Sequence, residues 1–245
     1  MNIIGVIPAR WASTRFPGKV LADICGKPMI QHIWEQAKKS RLLTEVYIAC
    51  DDDNVLKVAG KFGAQVRMTS PKLASGTDRI ADAVRDINAD IILNIQGDEP
   101  LIKPEVIDRL AQALCEHDAY SMATGITVIH DEADLHNPNV VKVVIDENND
   151  ALYFSRSVIP FNRDKRPFNT IVYYKHLGIY AYRKEFLMRF THMPPARLEQ
   201  AEQLEQLRAL EEGVKIKTVQ TQCETVSVDT PDDLKQVVSL MEAKR

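Results

Sequence analysis

Residues 7–21 read IPARWASTRFPGKVL, so Arg10, Arg15 and Lys19 fall within ten positions together with Ser13, Thr14 and Gly18. Three cations and two hydroxyls in one short loop form the donor set that a polyphosphate needs, and the amides of a tight loop add further donors. The same stretch also reads as a solvated basic loop. It holds neither Gly-x-x-x-x-Gly-Lys-Ser/Thr nor Gly-x-Gly-x-x-Gly, which sets aside the two common phosphate fingerprints.

Two carboxylates could hold a hard cation. Asp98 follows the apolar run Ile91–Ile95, and Gly97 beside it permits close backbone approach. Asp229 stands before Thr230-Pro231-Asp232-Asp233. Mg²⁺ takes one or two carboxylates and completes its shell with water and phosphate oxygens. Asp98 reads equally as a turn or cap residue. Asp229 reads equally as part of a helix start. Ser75-Gly76-Thr77 offers small donors and exposed backbone, and also reads as a helix cap.

The elements that must position these groups alternate in the first half. Ile3–Ile7, Val46–Cys50, the segment around Val66, and Ile91–Ile95 read as buried strands. Between them, Met29, Ile30, Ile33, Trp34 and Ala37 mark a helical face, with Pro28 in its first turn; Ile80, Ala81, Val84 and Ile87 mark another. Val106, Ile107, Leu110 and Leu114 mark a third. Asp51, Asp52 and Asp53 suit a helix start. Repeated βα units predict a mostly parallel sheet with helices on both faces and ligands at the strands' carboxyl ends. In the second half, Val140–Ile145 and Ala151–Phe154 read as paired strands, and His176–Tyr182 as another. Leu198–Leu210 reads as one helix with Ala201, Leu204, Leu207 and Leu210 inward, and a last helix follows Thr230 with Leu234, Val237, Val238 and Met241 inward.

Thirty-one Lys+Arg against 34 Asp+Glu give a net charge of −3, which argues against nucleic-acid partners and against bulk adsorption to acidic membranes. Cys25, Cys50, Cys115 and Cys223 form no Cys-x-x-Cys pair. Short apolar runs and an N-terminus without a basic flank predict no membrane insertion, no signal peptide and a cytoplasmic location.

Pro8-Ala9-Arg10, Ser13-Thr14-Arg15 and Pro17-Gly18-Lys19 resemble the signature loop of the sugar-activating cytidylyltransferases, in particular the CMP-Kdo synthetase family. The resemblance continues through Gly26–Ile30, Ser75–Arg79, Gln96–Pro100, Ala151–Arg156, Lys175–Tyr180, Leu204–Arg208 and Val228–Pro231, in that order along nearly the whole chain. Val20, Cys25 and Ser227 depart from residues common in that family, and none removes a charged group from the site.

The resemblance implies an α/β fold, a Rossmann-like nucleotidyltransferase three-layer sandwich with a smaller β-rich part for sugar binding and dimerisation. Residues 1–130 would mainly bind CTP, 131–225 the sugar and the second subunit of a homodimer, and 226–245 would add the last helix and its metal-site aspartate. Ala9, Arg10, Ser13, Arg15, Lys19, Ser75, Gly76 and Arg79 would contact the nucleotide. Gln96, Arg156, Arg163, His176, Tyr180, Glu205 and Gln206 would contact a sugar acid of the Kdo type. Asp98 and Asp229 would hold Mg²⁺, and with Lys19 would carry the catalysis. The implied reaction is CTP + Kdo → CMP-Kdo + diphosphate, in lipopolysaccharide or capsule synthesis. The same chemistry on 8-amino-Kdo or another nonulosonic acid, a nucleotide-sugar glycosyltransferase, and a non-catalytic nucleotide sensor stand as rivals.

Overall fold

The computed structural model describes residues 1–12, 16–223 and 226–243. The first half follows the expected alternation. Strand β1 (Ile3–Ala9) leads through a small hairpin, β2 (Asp23–Ile24) and β3 (Lys27–Pro28), into α1 (Met29–Ala37). Pro28 ends β3 as the residue before α1 and lies outside the first helical turn. Then come β4 (Glu45–Cys50), α2 (Asp53–Lys61), β5 (Gln65–Met68), α3 (Gly76–Ala83), β6 (Ile91–Asn94) and α4 (Pro104–Glu116). Helix α3 stops before Ile87, which packs from the following turn. Helix α4 shows why the pattern was readable. Pro104 sits in its first turn, and Val106, Ile107, Leu110, Ala111 and Leu114 form one buried face. Truncating Leu110 to Ala there costs about 2–5 kcal/mol.

Strand β7 (Met122–Val128) and α5 (Glu132–His136) precede a hairpin, β8 (Lys142–Ile145) and β9 (Ala151–Ser155). The long β10 (Tyr174–Arg183), α6 (Lys184–Phe190), α7 (Arg197–Glu202), α8 (Gln206–Glu211), β11 (Ile216–Gln220) and α9 (Pro231–Glu242) complete the chain. The helix expected over 198–210 is two helices. Gln203 adopts a left-handed φ of 53° and ends α7, which leaves Ala201 exposed and Leu204 buried in the joint. Of the α9 residues expected inward, Val237 is fully buried and Leu234, Val238 and Met241 are half-buried.

The main sheet has the order β11-β7-β10-β6-β1-β4-β5, with the β8–β9 hairpin branching from β10. Strands β6, β1, β4 and β5 run parallel, β11 runs parallel to β7, and β10 is antiparallel to both β6 and β7. So β10 and β11, from the 131–225 segment, are strands of the central sheet. One apolar core lies beneath α1, α2, α4 and α9, and a second lies beneath α3, α6 and α8. The result is three layers. Strands β4 and β5 extend from one side of β1 and β6 lies on the other, so the strand order reverses at β1. A cleft opens there, at the carboxyl ends of β1 and β6.

Candidate active site

The chain leaving β1 returns to the sheet edge through Gly18, whose φ of 68° is left-handed. A side chain at this position would be strained, and its Cβ would lie 3.1 Å from the Trp11 ring. Lys19 follows in a short turn over Lys19–Leu21. Its Nζ donates to Asp98 Oδ2 at 2.8 Å, to Asp229 Oδ1 at 3.0 Å and to the Val228 carbonyl at 3.0 Å. Burial alone would lower the Lys19 ammonium, but the two carboxylates more than offset it and leave its pKa raised.

Asp98 and Asp229 thus meet, although 131 positions separate them. The backbone makes the meeting. The Val228 N–H donates to the Asp98 carbonyl at 2.8 Å, and Val228 is fully buried. Thr230 then caps α9, and its partner Asp233 accepts from the amides of Asp229 and Thr230. Asp233 therefore serves the cap, and Asp229 faces the cleft. Among the described residues no group of three or more His, Cys, Asp and Glu converges as a metal cage. The donor set is two carboxylates beside an open cleft, which fits Mg²⁺ completed by substrate oxygens.

The cleft has a volume of about 350 Å³ and is lined by Arg10, Lys19, Gly76, Gln96, Asp98 and Asp229, with Pro8 and Gly97 at its base. Ala9 is buried behind it at the end of β1. A second cavity of about 600 Å³ adjoins it and is lined by Arg156, Lys175, His176, Glu99 and Asn139, among others. Asp229 lines both cavities. This carboxylate stands where two ligands would touch.

In the second cavity, His176 Nε2 lies 3.0 Å from Thr124 Oγ1, and its ring packs edge-on against Phe154 and beside Tyr180. Desolvation pushes the imidazole pKa down to about 3, so the ring is neutral near pH 7. His176 and Tyr180 do share a face, across an irregularity in β10 where Thr124 Oγ1 donates to the carbonyls of Leu177 and Ile179. Arg156 donates from Nε to the Glu202 carbonyl and from its terminal nitrogens to the carbonyls of Pro138 and Gln203. Two of its five N–H groups remain for an anion.

Ser75 and Glu205 line a third cavity of about 590 Å³. Ser75 caps α3, and Glu205 accepts from Ser75 and Thr77. Burial raises the Glu205 pKa. Gln206 is 4% exposed, and its buried Nε2 has no hydrogen-bond partner among the described residues. Gln206 itself lines none of the three cavities.

Not every expected contact is formed: Ala9, Tyr180 and Gln206 are buried and line none of the three cavities, and two charged side chains also stand away from them. The Arg79 side chain is 1% exposed and ion-paired to Asp51 at 2.8 Å, so it does not line the first cleft. Arg163 is on an exposed loop and lines none of the three cavities. Ser13 and Arg15 lie outside the described residues. Residues with no motif to reveal them also build the site. Lys142 is fully buried and donates to the carbonyls of Asn137 and Val140, shaping the wall of the second cavity. Glu202 accepts from Ser155 Oγ and the Arg156 amide.

The chain is similar to known proteins over most of its length. Residues 4–216 match the cytidylyltransferase family. The 3-deoxy-manno-octulosonate cytidylyltransferase of Geobacter sulfurreducens is 51% identical over 97% of this chain and 98% of its own length. That of Solibacter usitatus is 49% identical over 99% of this chain and 95% of its own length. A solved structure of CMP:2-keto-3-deoxy-manno-octonic acid synthetase complexed with CTP superposes with a TM-score of 0.95 at 42% identity, covering 100% of both chains. A cytidylyltransferase from Leptospira borgpetersenii shares the fold alone, with a TM-score of 0.66 at 18% identity over 99% of this chain and 87% of its own. The chain belongs to the cytidylyltransferase family.

Proposed function

We propose that this member of the family transfers the cytidylyl group of CTP to 3-deoxy-manno-octulosonate (Kdo), forming CMP-Kdo and diphosphate. The observation that carries the reading is the Lys19 ammonium held between Asp98 and Asp229 in a cleft that Asp229 shares with a second, sugar-sized cavity. The relatives at about half identity over nearly their whole length supply the substrates. The sugar's anomeric hydroxyl oxygen bonds to the α-phosphorus, the bond to the bridging oxygen breaks, and the hydroxyl proton passes to water. Diphosphate departs with its added charge held by Lys19 and Arg10, so catalysis is positioning plus charge neutralisation. His176, neutral near pH 7 and lining the second cavity, orients the sugar as a hydrogen-bonding group. Arg156 offers its two spare N–H groups to the sugar carboxylate.

Asp98 and Asp229 would hold Mg²⁺, which when bound supplies Lewis-acid polarisation of phosphate oxygen. A cytoplasmic location is in keeping with four free cysteines. No described helix is long and apolar enough to cross a membrane. A homodimer is supported by large apolar side chains exposed on the second half, with Leu152, Val172 and Phe161 at 60%, 59% and 85%.

The test is diphosphate release with CTP, ATP, GTP and UTP crossed against Kdo, 8-amino-Kdo and a sialic acid. Turnover with CTP and Kdo exceeding every other pair is the expected result. Equal turnover with ATP, or release only with a different acid, overturns the assignment.

A further inference from the structure

We propose that Asp51 is a positioning residue for the phosphate loop: it holds the Trp11 amide, and through Trp11 the Gly18–Lys19 turn, while the buried Arg79 holds Asp51. Asp51 stands just past the carboxyl end of β4, and the Asp52 side chain beside it is spent on capping α2. Arg79 Nη2 donates to Asp51 Oδ2 at 2.8 Å, and its Nη1 donates to Thr69 Oγ1, which in turn donates to the Cys50 carbonyl at 2.9 Å. With side-chain exposures of 1% for Arg79 and 9% for Asp51, the ion pair is shielded from solvent and fixes the rotation of the carboxylate. The other oxygen, Oδ1, is thereby aimed at the neighbouring strand's exit, where it accepts the Trp11 N–H at 3.0 Å.

From there the connection reaches the catalytic lysine in two short steps. The Trp11 carbonyl accepts the Gly18 N–H at 3.1 Å, which closes the base of the loop. The Trp11 indole lies over Gly18, where the absence of a Cβ lets it pack. Lys19 is the next residue. Its Nζ is held at the far end by Asp98 and Asp229, and its backbone is held at the near end by this chain of contacts. A loop that grips phosphates must be ordered before they arrive, or the ordering entropy is subtracted from their binding. Arg79 belongs to α3, whose first residue, Gly76, lines the same cleft, so the helix that borders the nucleotide also braces the phosphate loop.

The proposal rests on the reading of the cleft as a CTP site, and its test separates the two. CTP and CMP share base, ribose and α-phosphate, and only CTP carries the phosphates that the loop would grip. In the double variant Asp51→Ala/Arg79→Met both charges go, so no unpaired charge is left buried and the thermal midpoint should stay near that of the unaltered protein. The Trp11 amide, however, loses its acceptor. CTP binding by calorimetry should weaken about tenfold or more, the scale of losing a hydrogen bond to a charged acceptor. CMP binding should stay within about twofold, because a defect confined to the loop leaves shared contacts alone. Asp51→Asn leaves one acceptor oxygen for two donors, the buried Arg79 guanidinium and the Trp11 amide. With its oxygen turned to Arg79 it should lose the Trp11 contact and weaken CTP relative to CMP as the double variant does, with a lower melting temperature from the poorly compensated Arg79 charge. In the unaltered protein, amide exchange followed by NMR should show Trp11 and Gly18 protected without ligand, a reading that needs no variant. An unchanged CTP-to-CMP ratio in the double variant, an equal loss of both nucleotides, or a freely exchanging Trp11 amide overturns the role of Asp51. Failure of the unaltered protein to bind either nucleotide would sink the CTP reading instead, and amide exchange would still decide the positioning role.

Discussion

Replacing Gly97 with alanine should cripple turnover with little net change in chemistry, because the added carbon has nowhere to go. A Cβ built on Gly97 falls 2.3 Å from the Pro8 carbonyl oxygen, against a 3.0 Å floor that real Cβ contacts essentially never cross. The deficit is about 0.7 Å, and the obstructing atom is backbone of β1 that cannot rotate away. The displacement must therefore fall on the loop after β6, whose next residue is Asp98. Moving that carboxylate by about 0.7 Å stretches its 2.8 Å contact with Lys19 to the limit of a hydrogen bond. Misplacement on this scale costs about 10²-fold in rate when a charged group must meet a reacting phosphate. Strain from overpacking should also remove about 1–3 kcal/mol of stability. Diphosphate release under saturating CTP and sugar acid reads the first quantity, and thermal unfolding reads the second. Gly76→Ala is the matched control, since its Cβ would meet the Pro8 ring at an ordinary 3.7 Å and should leave the fold intact. A Gly97→Ala protein with kcat within about twofold of the unaltered one would refute the argument that close backbone approach positions Asp98.

Lys19→Ala should lower turnover by about 10²-fold or more, the scale for removing a charge-stabilising donor, with retention of the fold checked by circular dichroism. His176 yields a pH signature. Its folded pKa is depressed to about 3 from an ordinary 6.5, so on acidification the unfolded chain takes a proton that the native state refuses. Stability should fall as the pH drops from 6.5 toward 3, and His176→Gln should flatten that part of a melting-temperature profile. An unchanged slope would show that the imidazole is not desolvated. Chelation with EDTA should abolish diphosphate release and added Mg²⁺ should restore it. Asp98→Asn, Asp229→Asn and the double variant should be impaired to similar extents, as residues sharing one ion are; additive losses in log rate would separate them.

Most of the first half was legible because its strands are continuous apolar runs and its helices carry clean faces. Strand β7 escaped notice for a physical reason. It is buried on both sides, yet it is built of small and hydroxyl-bearing residues, since Gly125 must let Leu177 and Ile179 pack within 3.4 Å of where a Cβ would be. Strand β11, with Lys217 and Thr218 at its centre, has no apolar run either. The break at Gln203 carries no glycine or proline to announce it. The family resemblance of Ser75–Arg79 puts Arg79 with the nucleotide, and nothing in the local sequence announces that its side chain is buried. Its partner, Asp51, is 28 positions away, and only the packing of neighbouring strands brings the two together. The meeting of Asp98 with Asp229 was accessible only through family resemblance. Periodicity locates both at element ends but carries no information about which ends adjoin.

The tie between Lys19 and Asp229 also bears on the order in which the protein becomes competent. Asp229 is 210 positions from Lys19, whereas Asp98 is 79 away. Closing the longer loop costs about 0.9 kcal/mol more chain entropy. The contact is held by one buried valine, its backbone bond to Asp98 and the start of the final helix. A refolding chain can therefore complete the layers around β1, β4 and β6 while Lys19 still has a single acidic neighbour. Return of secondary structure should precede return of turnover, and the delay between them would time the arrival of residues 226–243 at the sheet edge.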